Sequence, residues 1–313
     1  MKVIMYHYVR TSSKDFPFFR YLSVENFCKQ LDYFEKEFGF VKFEDFLKLK
    51  EDLSCFIKVK DKILLTFDDG LIDHFNFVLP ELVKRGLFAL FFVPTAIYER
   101  EKALDVHRIH YLLGRNGGGG LMSFVKNILD DDMLEQDKIE LFKQKIYTKQ
   151  DNDHLTTEFK KLFNYYIKYE YKEAILDKIV NEFSNDKEIF SSLYMSIDNL
   201  KSMHKQGMII GSHSCNHLVF SKLKEKEQEK EIEDSFDFLE SILKKLYIKT
   251  FCYPYGGFHT FTKFTEQTLQ KQGVSFSFNV ESRDVSLDDV KNRAQALPRY
   301  DCNEFCFGKA NLG

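Results

Sequence analysis

Two adjacent carboxylates end an apolar segment in the first quarter of the chain. Residues 63–67 (ILLTF) predict a buried strand, and Asp68, Asp69 and Gly70 follow it directly. Two neighbouring carboxylates are costly to bury unless a metal or another cation neutralises one of them. β/α folds place their reactive groups at strand ends of this kind. The pattern therefore predicts an acidic reaction site that includes a cation.

Two histidines follow a second apolar segment, at residues 208–211. The sequence HSCNH places His213 and His217 four residues apart, so both side chains share a face if the chain turns helically there. With Asp69 they supply three nitrogen or oxygen ligands and leave a position open for water, as in a catalytic zinc site. The alternative is two loop histidines whose hydrogen bonds are satisfied without a metal.

Three further groups suit the hydrolysis of an amide, which needs a base, an acid and donors to the oxyanion. Asp68, beside a ligand, suits the base that removes a proton from the attacking water, and capping of the following helix is its alternative role. His7 ends a predicted strand and suits the acid that protonates the leaving amine, whereas a structural core histidine is the alternative. Tyr255 offers the first backbone N–H after Pro254, which has none, and this N–H suits a donor to the oxyanion. The alternative is an ordinary Pro-Gly turn without that role.

Strands and helices alternate along the parts of the chain that carry these residues. Short apolar strands are predicted at residues 3–6, 63–67, 87–93, 208–211, 249–253, 274–279 and 296–299, with helices such as 72–85 between them. This alternation favours parallel strands joined by right-handed crossovers in an α/β fold. Residues 97–196 show only helical segments and are interpreted as a helical insertion, which either covers the site or is solvated without a role in chemistry. Four glycines at 117–120 predict a flexible joint within it.

The length of 313 residues suits one large domain, or one domain over residues 1–313 with this insertion. The hydrophobic fraction is 44% and includes ample phenylalanine for a core. A net charge of -3 gives no reason to expect a nucleic acid partner. The opening MKVIMYHYVR is too short an apolar run for a signal peptide, and no stretch approaches the roughly 20 apolar residues that cross a bilayer. These features predict a cytoplasmic protein without a transmembrane segment, and they leave an oligomer open.

The same residues resemble the motifs of a known enzyme family. TFDDG at 66–70, the pattern HSxxH at 213–217 and YPYG at 253–256 are similar to the first three motifs of the polysaccharide deacetylases. This is the NodB-homology group, also called carbohydrate esterase family four. The opening MYHYV at 5–9 resembles the branch that acts on poly-N-acetylglucosamine, in which the motif order is permuted.

This resemblance implies a distorted (β/α) barrel that holds one divalent metal ion. The implied ligands are Asp69, His213 and His217, and zinc is the expected metal, with cobalt, nickel or manganese as alternatives. Asp68 is the implied base, and the Tyr255 N–H belongs to the implied oxyanion site. In the permuted branch the acid comes from the first strand, which independently implies His7.

The sequence also departs from the family pattern. Many members carry an arginine in the third motif that orients the base, but FCY at 251–253 has none. Arg299 is similar to an arginine near the domain end of related members and is expected to replace it. The chain has no tryptophan, so the tryptophan motif is absent, and no Leu-x-His motif follows the third motif.

The expected activity is metal-dependent removal of an N-acetyl group from an amino sugar. Water attacks the amide, Asp68 takes its proton and His7 protonates the amine. The expected cytoplasmic location favours a nucleotide-linked or lipid-linked precursor of a surface glycan over an extracellular polymer. Two alternatives remain: a deformylase or cyclic-amide hydrolase of the same superfamily, and a non-catalytic sugar-binding homologue. Retention of Asp68 speaks against the last, since binding alone needs no base.

Overall fold

A computed structural model describes residues 1–135 and 153–312 of the chain. Its strands are β1 Lys2–Tyr6, β2 Val9–Arg10, β3 Arg20–Ser23, β4 Ile63–Phe67, β5 Leu90–Val93, β6 Ile209–Ser212, β7 Thr250–Cys252, β8 Phe276–Phe278, β9 Tyr300–Asp301 and β10 Asn311–Leu312. Its α-helices are Val24–Glu37, Phe43–Leu49, Phe56–Val59, Leu79–Lys84, Ala96–Arg100, Asp105–Val125, His154–Lys161, Tyr169–Phe183, Asp186–Leu193, Ile197–Lys205, Glu225–Leu243, Lys263–Lys271 and Leu287–Asn292.

Seven of these strands form one parallel sheet in the order β8-β7-β6-β5-β4-β1-β9. The sheet curls into a half-barrel surrounded by helices, so the predicted α/β fold, a distorted (β/α) barrel, is confirmed. Strands β5 and β6 pair directly, with Leu90 opposite Ile209, although residues 94–208 lie between them in sequence. Since neighbouring strands of this sheet pair in parallel, their carboxyl ends all lie at one end of the sheet, called here its carboxyl edge.

The core lies on both faces of this sheet because its strands are apolar at successive positions. In β4, Ile63, Leu65 and Phe67 join one buried cluster, whereas Leu64 faces a second cluster on the other side. Strand β5 divides in the same way, as the two-residue period of a strand requires. A sheet buried on both faces is typical of parallel β/α architectures.

The chain between β8 and β9 connects the two outermost strands of the sheet. Its secondary structure differs from the prediction. Residues 296–299 were expected to form the last strand, but only Leu297 forms an isolated bridge, with Phe278 of β8. Pairing with β1 begins at Tyr300, opposite Ile4. Pro298 lies between the two pairings and has no N–H to donate, which explains the interruption. Arg299 is thereby placed between the edge strands of the half-barrel.

A second difference concerns the helix predicted over residues 72–85. The structure forms a π-helical turn, His74–Val78, before the α-helix Leu79–Lys84. π-turns often occur beside functional sites, and this one follows the Asp68–Asp69 segment. The apolar periodicity could not distinguish it from a regular helix.

The described residues divide into two compact units. One contains Met1–Thr11, Tyr21–Arg100 and Leu193–Asn311, with the large sheet, and the other contains mainly Glu101–Ser192. The interpretation of residues 97–196 as an insertion stays a prediction, and its residues 136–152 lie outside the described part of the chain. Within residues 1–135 and 153–312, no helix combines the length and hydropathy required to cross a membrane.

The glycines at 117–120, where a flexible joint was predicted, belong to the second unit. They lie within the helix Asp105–Val125, which is kinked at Gly117 (φ 66°, ψ 169°). A Cβ atom at Gly118 would lie 2.1 Å from the backbone nitrogen of Thr156, so this glycine permits close approach of two chain segments.

Candidate active site

The predicted site residues converge at the carboxyl edge of the sheet. His7 follows β1, Asp68 and Asp69 follow β4, His213 follows β6, and Tyr253 begins the turn after β7. These strands are far apart in sequence, but the parallel sheet that contains them brings their ends together. Such an edge is where β/α folds place their reactive groups.

Asp69, His213 and His217 form a buried group of three ligating side chains. Nε2 of each histidine lies 3.6 Å from Oδ1 of Asp69, and the three donor atoms lie within 4.8 Å of one another. Donor atoms of a tetrahedral ion with bonds of about 2.1 Å are separated by about 3.4 Å. The two nitrogens and one carboxylate oxygen therefore fit a divalent ion such as zinc in both chemistry and spacing.

The tautomer of His213 also suits ligation. Its Nδ1 lies 2.8 Å from the carbonyl oxygen of Cys252, and a carbonyl can only accept, so Nδ1 carries the hydrogen. Burial lowers the pKa of His213 below its usual value, although the nearby Asp68 and Asp69 carboxylates oppose that shift. A neutral ring with hydrogen on Nδ1 directs the lone pair of Nε2 towards Asp69. Such a hydrogen bond from the distal ring nitrogen is usual for metal-binding histidines.

The backbone adopts uncommon conformations at four site residues. Asp69, Ser214, His217 and Tyr255 have φ values of 77°, 63°, 55° and 66°. Each such conformation costs on the order of 1–3 kcal/mol for a residue with a side chain, and it persists only where the surroundings impose it. Gly70 adds a fifth left-handed residue (φ 64°), and a Cβ there would lie 3.2 Å from Val93. The fold thus uses strained turns to direct these residues into one region.

Asp68 forms a fully buried ion pair with Arg299. The two guanidinium nitrogens Nη1 and Nη2 donate to Oδ1 and Oδ2 at 2.8 and 2.7 Å, and Nη1 also donates to Oγ1 of Thr66. Burial by itself would raise the pKa of Asp68, but the charge and hydrogen bonds of Arg299 outweigh it and lower this pKa to about 2. Asp68 is therefore ionised, and Arg299 holds its carboxylate in one orientation.

Cys252 contacts both Asp68 and Arg299, although its sequence context predicted no role for it. Its Sγ lies 2.9 Å from Nη2 of Arg299 and 3.5 Å from Oδ2 of Asp68. The donor atoms of Asp68, His213 and Cys252 also lie within 4.8 Å of one another. This second group fits a metal less well, because Arg299 occupies both oxygens of Asp68 and burial raises the pKa of the thiol well above its usual value.

His7 and Tyr255 lie at the more open side of the group. Nε2 of His7 is 3.8 Å from Oδ2 of Asp69, and its side chain is 40% exposed. The carbonyl of His7 accepts a hydrogen bond from Nε2 of the buried His74 at 2.9 Å. The ring of Tyr255, which is 60% exposed, lies 4.9 Å from the ring of His217.

The sequence predicted no role for His74, because its partner is the backbone carbonyl of His7 and such a contact leaves no pattern in the sequence. The same is true of Cys252, since a cysteine in an apolar strand ordinarily predicts a small buried side chain. The only usable signal was position: Cys252 is the last residue of β7, at the edge where the other site residues are found.

Comparisons with known proteins agree with this fold. Residues 177–277 match the family model described as polysaccharide deacetylase. This range includes both histidines and Tyr255, but Asp68 and Arg299 lie outside it. No curated protein sequence matches the chain.

Three solved structures illustrate the similarity. The Streptococcus pyogenes deacetylase PplD in complex with acetate has a TM-score of 0.58 at 16% identity, over 96% of this chain and 91% of that one. IcaB from Ammonifex degensii has a TM-score of 0.53 at 19% identity, over 95% and 89%. The BpsB deacetylase domain from Bordetella bronchiseptica has a TM-score of 0.51 at 13% identity, over 96% and 94%. These findings confirm that the chain resembles the polysaccharide deacetylase family, through a family match over residues 177–277 and a fold shared with solved deacetylases along nearly its whole length.

Proposed function

We propose that this chain is a metal-dependent hydrolase that removes the N-acetyl group from an amino sugar. The observation that carries the proposal is the buried group of Asp69, His213 and His217 beside an ionised carboxylate, Asp68. The polysaccharide deacetylase match supports a sugar amide as the substrate. The acetate complex of the Streptococcus pyogenes deacetylase PplD supports acetyl as the acyl group.

Asp69, His213 and His217 would hold one divalent ion, zinc in the first instance and cobalt, nickel or manganese as alternatives. When bound, such an ion lowers the pKa of water and polarises the substrate carbonyl. The three side chains are at most 9% exposed, so their donor atoms are shielded from competing solvent. The neutral form of His213 is ready to bind without first losing a proton.

Asp68 accepts the proton of the attacking water in this mechanism. Its carboxylate is ionised at every physiological pH and lies next in sequence to a ligand. Arg299 is proposed to act through Asp68, whose carboxylate plane it fixes by two hydrogen bonds. Arg299 is therefore proposed as the positioning residue of the base.

His7 and the Tyr255 turn complete the proposed reaction. His7 is near Asp69 and sufficiently exposed to meet a substrate, so it is proposed to protonate the departing amine. The backbone N–H of Tyr255 is proposed to donate to the oxyanion that forms at the carbonyl. The contact between the rings of Tyr255 and His217 supports this assignment.

We also infer that residues 97–196 are an insertion into one catalytic domain. The direct pairing of β5 with β6 supports this inference, because the two strands are neighbours in the sheet although residues 94–208 separate them in sequence. Most of the described residues of that segment belong to a second compact unit, which also includes Ser12–Arg20.

Product release from defined substrates tests the proposed function. The purified chain, with about one divalent ion bound, is expected to release acetate from at least one member of a panel of N-acylated sugars and sugar nucleotides. Removal of the ion by a chelator should stop the release, and zinc should restore it. Formate in place of acetate would indicate a deformylase, and metal binding without any product would favour a sugar-binding role.

Substitution of Arg299 should change the pH dependence of the reaction. In Arg299→Met, Asp68 stays buried without its cation, so its pKa rises and the acid limb of the kcat/KM profile moves to higher pH. We expect kcat/KM at neutral pH to fall about 10–100-fold, with a loss of stability of about 3–5 kcal/mol for breaking a buried pair. Arg299→Lys should retain the charge and shift the acid limb less. An unchanged limb in both variants would contradict the positioning role.

Substitution of His7 should reduce turnover without loss of the metal. His7→Gln removes a titratable group but keeps a similar size, and we expect kcat to fall about 10²–10³-fold. Substrates with an activated leaving group need less help from an acid and should lose less. Steady-state rates on a sugar amide and on an activated ester would measure this difference, and an equal loss on both would argue against His7 as the acid.

A further inference from the structure

The loop of residues 213–217 carries both histidines, and each of its five backbone N–H groups has a hydrogen-bond acceptor. Its N–H donors and their acceptors are His213 to Val93 O at 3.0 Å, Ser214 to Ser212 Oγ at 3.1 Å, Cys215 and Asn216 to Glu231 Oε2 at 3.1 and 2.7 Å, and His217 to Ser214 Oγ at 2.9 Å. Buried backbone donors are almost always paired in this way. The acceptors therefore define the shape of the loop.

Glu231 is the acceptor that joins the middle of the loop to the helix Glu225–Leu243. Its Oε2 accepts from Cys215 and Asn216, and its Oε1 accepts from the side-chain amide of Asn216. The residue is only 7% exposed. In residues 1–135 and 153–312, no lysine, arginine or histidine forms an ion pair with it. Its buried oxygens are thus paired with the histidine loop and not with a cation.

A second contact lies one turn further along the same helix. Ser235 donates its hydroxyl hydrogen to the carbonyl of Ile232, so the hydrogen between Ser235 and Ser212 must come from Ser212. The oxygen of Ser212 then accepts from the N–H of Ser214. Residues i and i+4 share a helix face, so Glu231 and Ser235 hold the loop from one surface at two points.

We propose that Glu231 is a positioning residue for the metal ligands and that it sets the separation of His213 and His217 by holding their loop. The inference rests on the proposed function, because it takes both histidines as ligands. Without Glu231, the buried N–H of Cys215 and the partly buried N–H of Asn216 lose their acceptor, which is unfavourable. The N–H groups of Thr95 and Ala96 still bond to the carbonyl oxygens of Ser214 and Cys215, at 3.2 and 3.0 Å, but these bonds leave the Glu231 side of the loop without support. The left-handed residues Ser214 and His217 would then relax in part.

The metal affinity of the purified chain tests this role without the need for turnover. Zinc affinity is measured by competition with a chromophoric chelator, and the Co²⁺-loaded chain gives a visible spectrum that reports coordination. Glu231→Ala is expected to bind zinc about 10–100-fold more weakly and to change the Co²⁺ spectrum. Glu231→Gln retains a carbonyl oxygen for both backbone donors and should bind within a few-fold of the unsubstituted chain.

Gln228→Ala is the matched control. Gln228 lies one turn earlier on the same helix and is 3% exposed, but its side chain bonds to Leu223 O, Thr262 and Thr265 instead of the histidine loop. This variant should lower Tm while zinc affinity is retained. Should Glu231→Ala fail to fold, Glu231→Asp serves the same test, because it keeps the charge but is one methylene too short to reach both donors.

The outcomes separate this inference from the proposed function. Zinc affinity of Glu231→Ala equal to that of the unsubstituted chain, or reduced no more than in Gln228→Ala, overturns the positioning role. If the unsubstituted chain binds zinc but releases no acetate from any substrate, the proposed deacetylation fails while the affinity comparison still decides the role of Glu231. Failure of the unsubstituted chain to bind any divalent ion would overturn both.

Discussion

Asp68→Asn is expected to abolish nearly all turnover while the divalent ion stays bound. The amide keeps the size of the carboxylate and can still accept a hydrogen bond from Arg299, but it cannot take a proton from the attacking water. General-base catalysis contributes about 10²–10⁴-fold, so we expect kcat to fall by that factor. Metal content should be unchanged because the ligands are other residues. Steady-state acetate release and metal analysis on the same preparation measure both quantities.

A loss of stability must be separated from this loss of chemistry. Asp68→Asn leaves Arg299 buried without a charged partner, so Tm should also fall. Asp289→Asn is a suitable control, because Asp289 is 3% exposed and forms a two-point ion pair with Arg283. It lies near the amino edge of the sheet, where Val285 donates to Met1 O. This control should lose stability but retain turnover; comparable turnover in the two variants would refute the role of Asp68.

Asp69→Asn is expected to remove tight metal binding and, with it, activity. Asparagine tolerates the left-handed conformation of this position (φ 77°), so the backbone should be maintained. Its neutral amide is a poor ligand compared with a carboxylate. We expect affinity for zinc to fall more than 10²-fold, because one of three ligands is weakened in a site that is otherwise unchanged.

Thermal unfolding with and without metal gives an independent measure of the same effect. Metal at 1,000 times its Kd stabilises a binding protein by about 4 kcal/mol, which raises Tm by several degrees in a chain of this size. The unsubstituted chain and Asp68→Asn should show this rise, whereas Asp69→Asn should not. An equal metal-dependent rise in Asp69→Asn would exclude Asp69 as a ligand.

Much of the fold and the principal site group could be predicted from sequence because their signals are local. Strand β4 has the predicted bounds, β1 begins one residue earlier than predicted, and β6 is shifted by one residue at both ends. Apolar runs that end at polar residues identified these strands, and parallel pairing then implied that Asp69, His213 and His217 would meet. Those three side chains are brought together in the structure. Their roles, like that of His7, stay predictions until the measurements above are made.

The tertiary structure decided what depends on distant partners. The pair of Asp68 and Arg299 joins positions 231 residues apart, and composition and periodicity cannot indicate that contact. Sequence similarity suggested Arg299 as the partner of the base. Only the path of residues 297–301, which pair first with β8 and then with β1, explains how Arg299 reaches Asp68. Cys252 and Glu231 were not predicted for the same reason. The sequence by itself determined which residues end the strands; the orientation of their side chains was decided by buried ion pairs, strained turns and backbone acceptors that form only when the chain is folded.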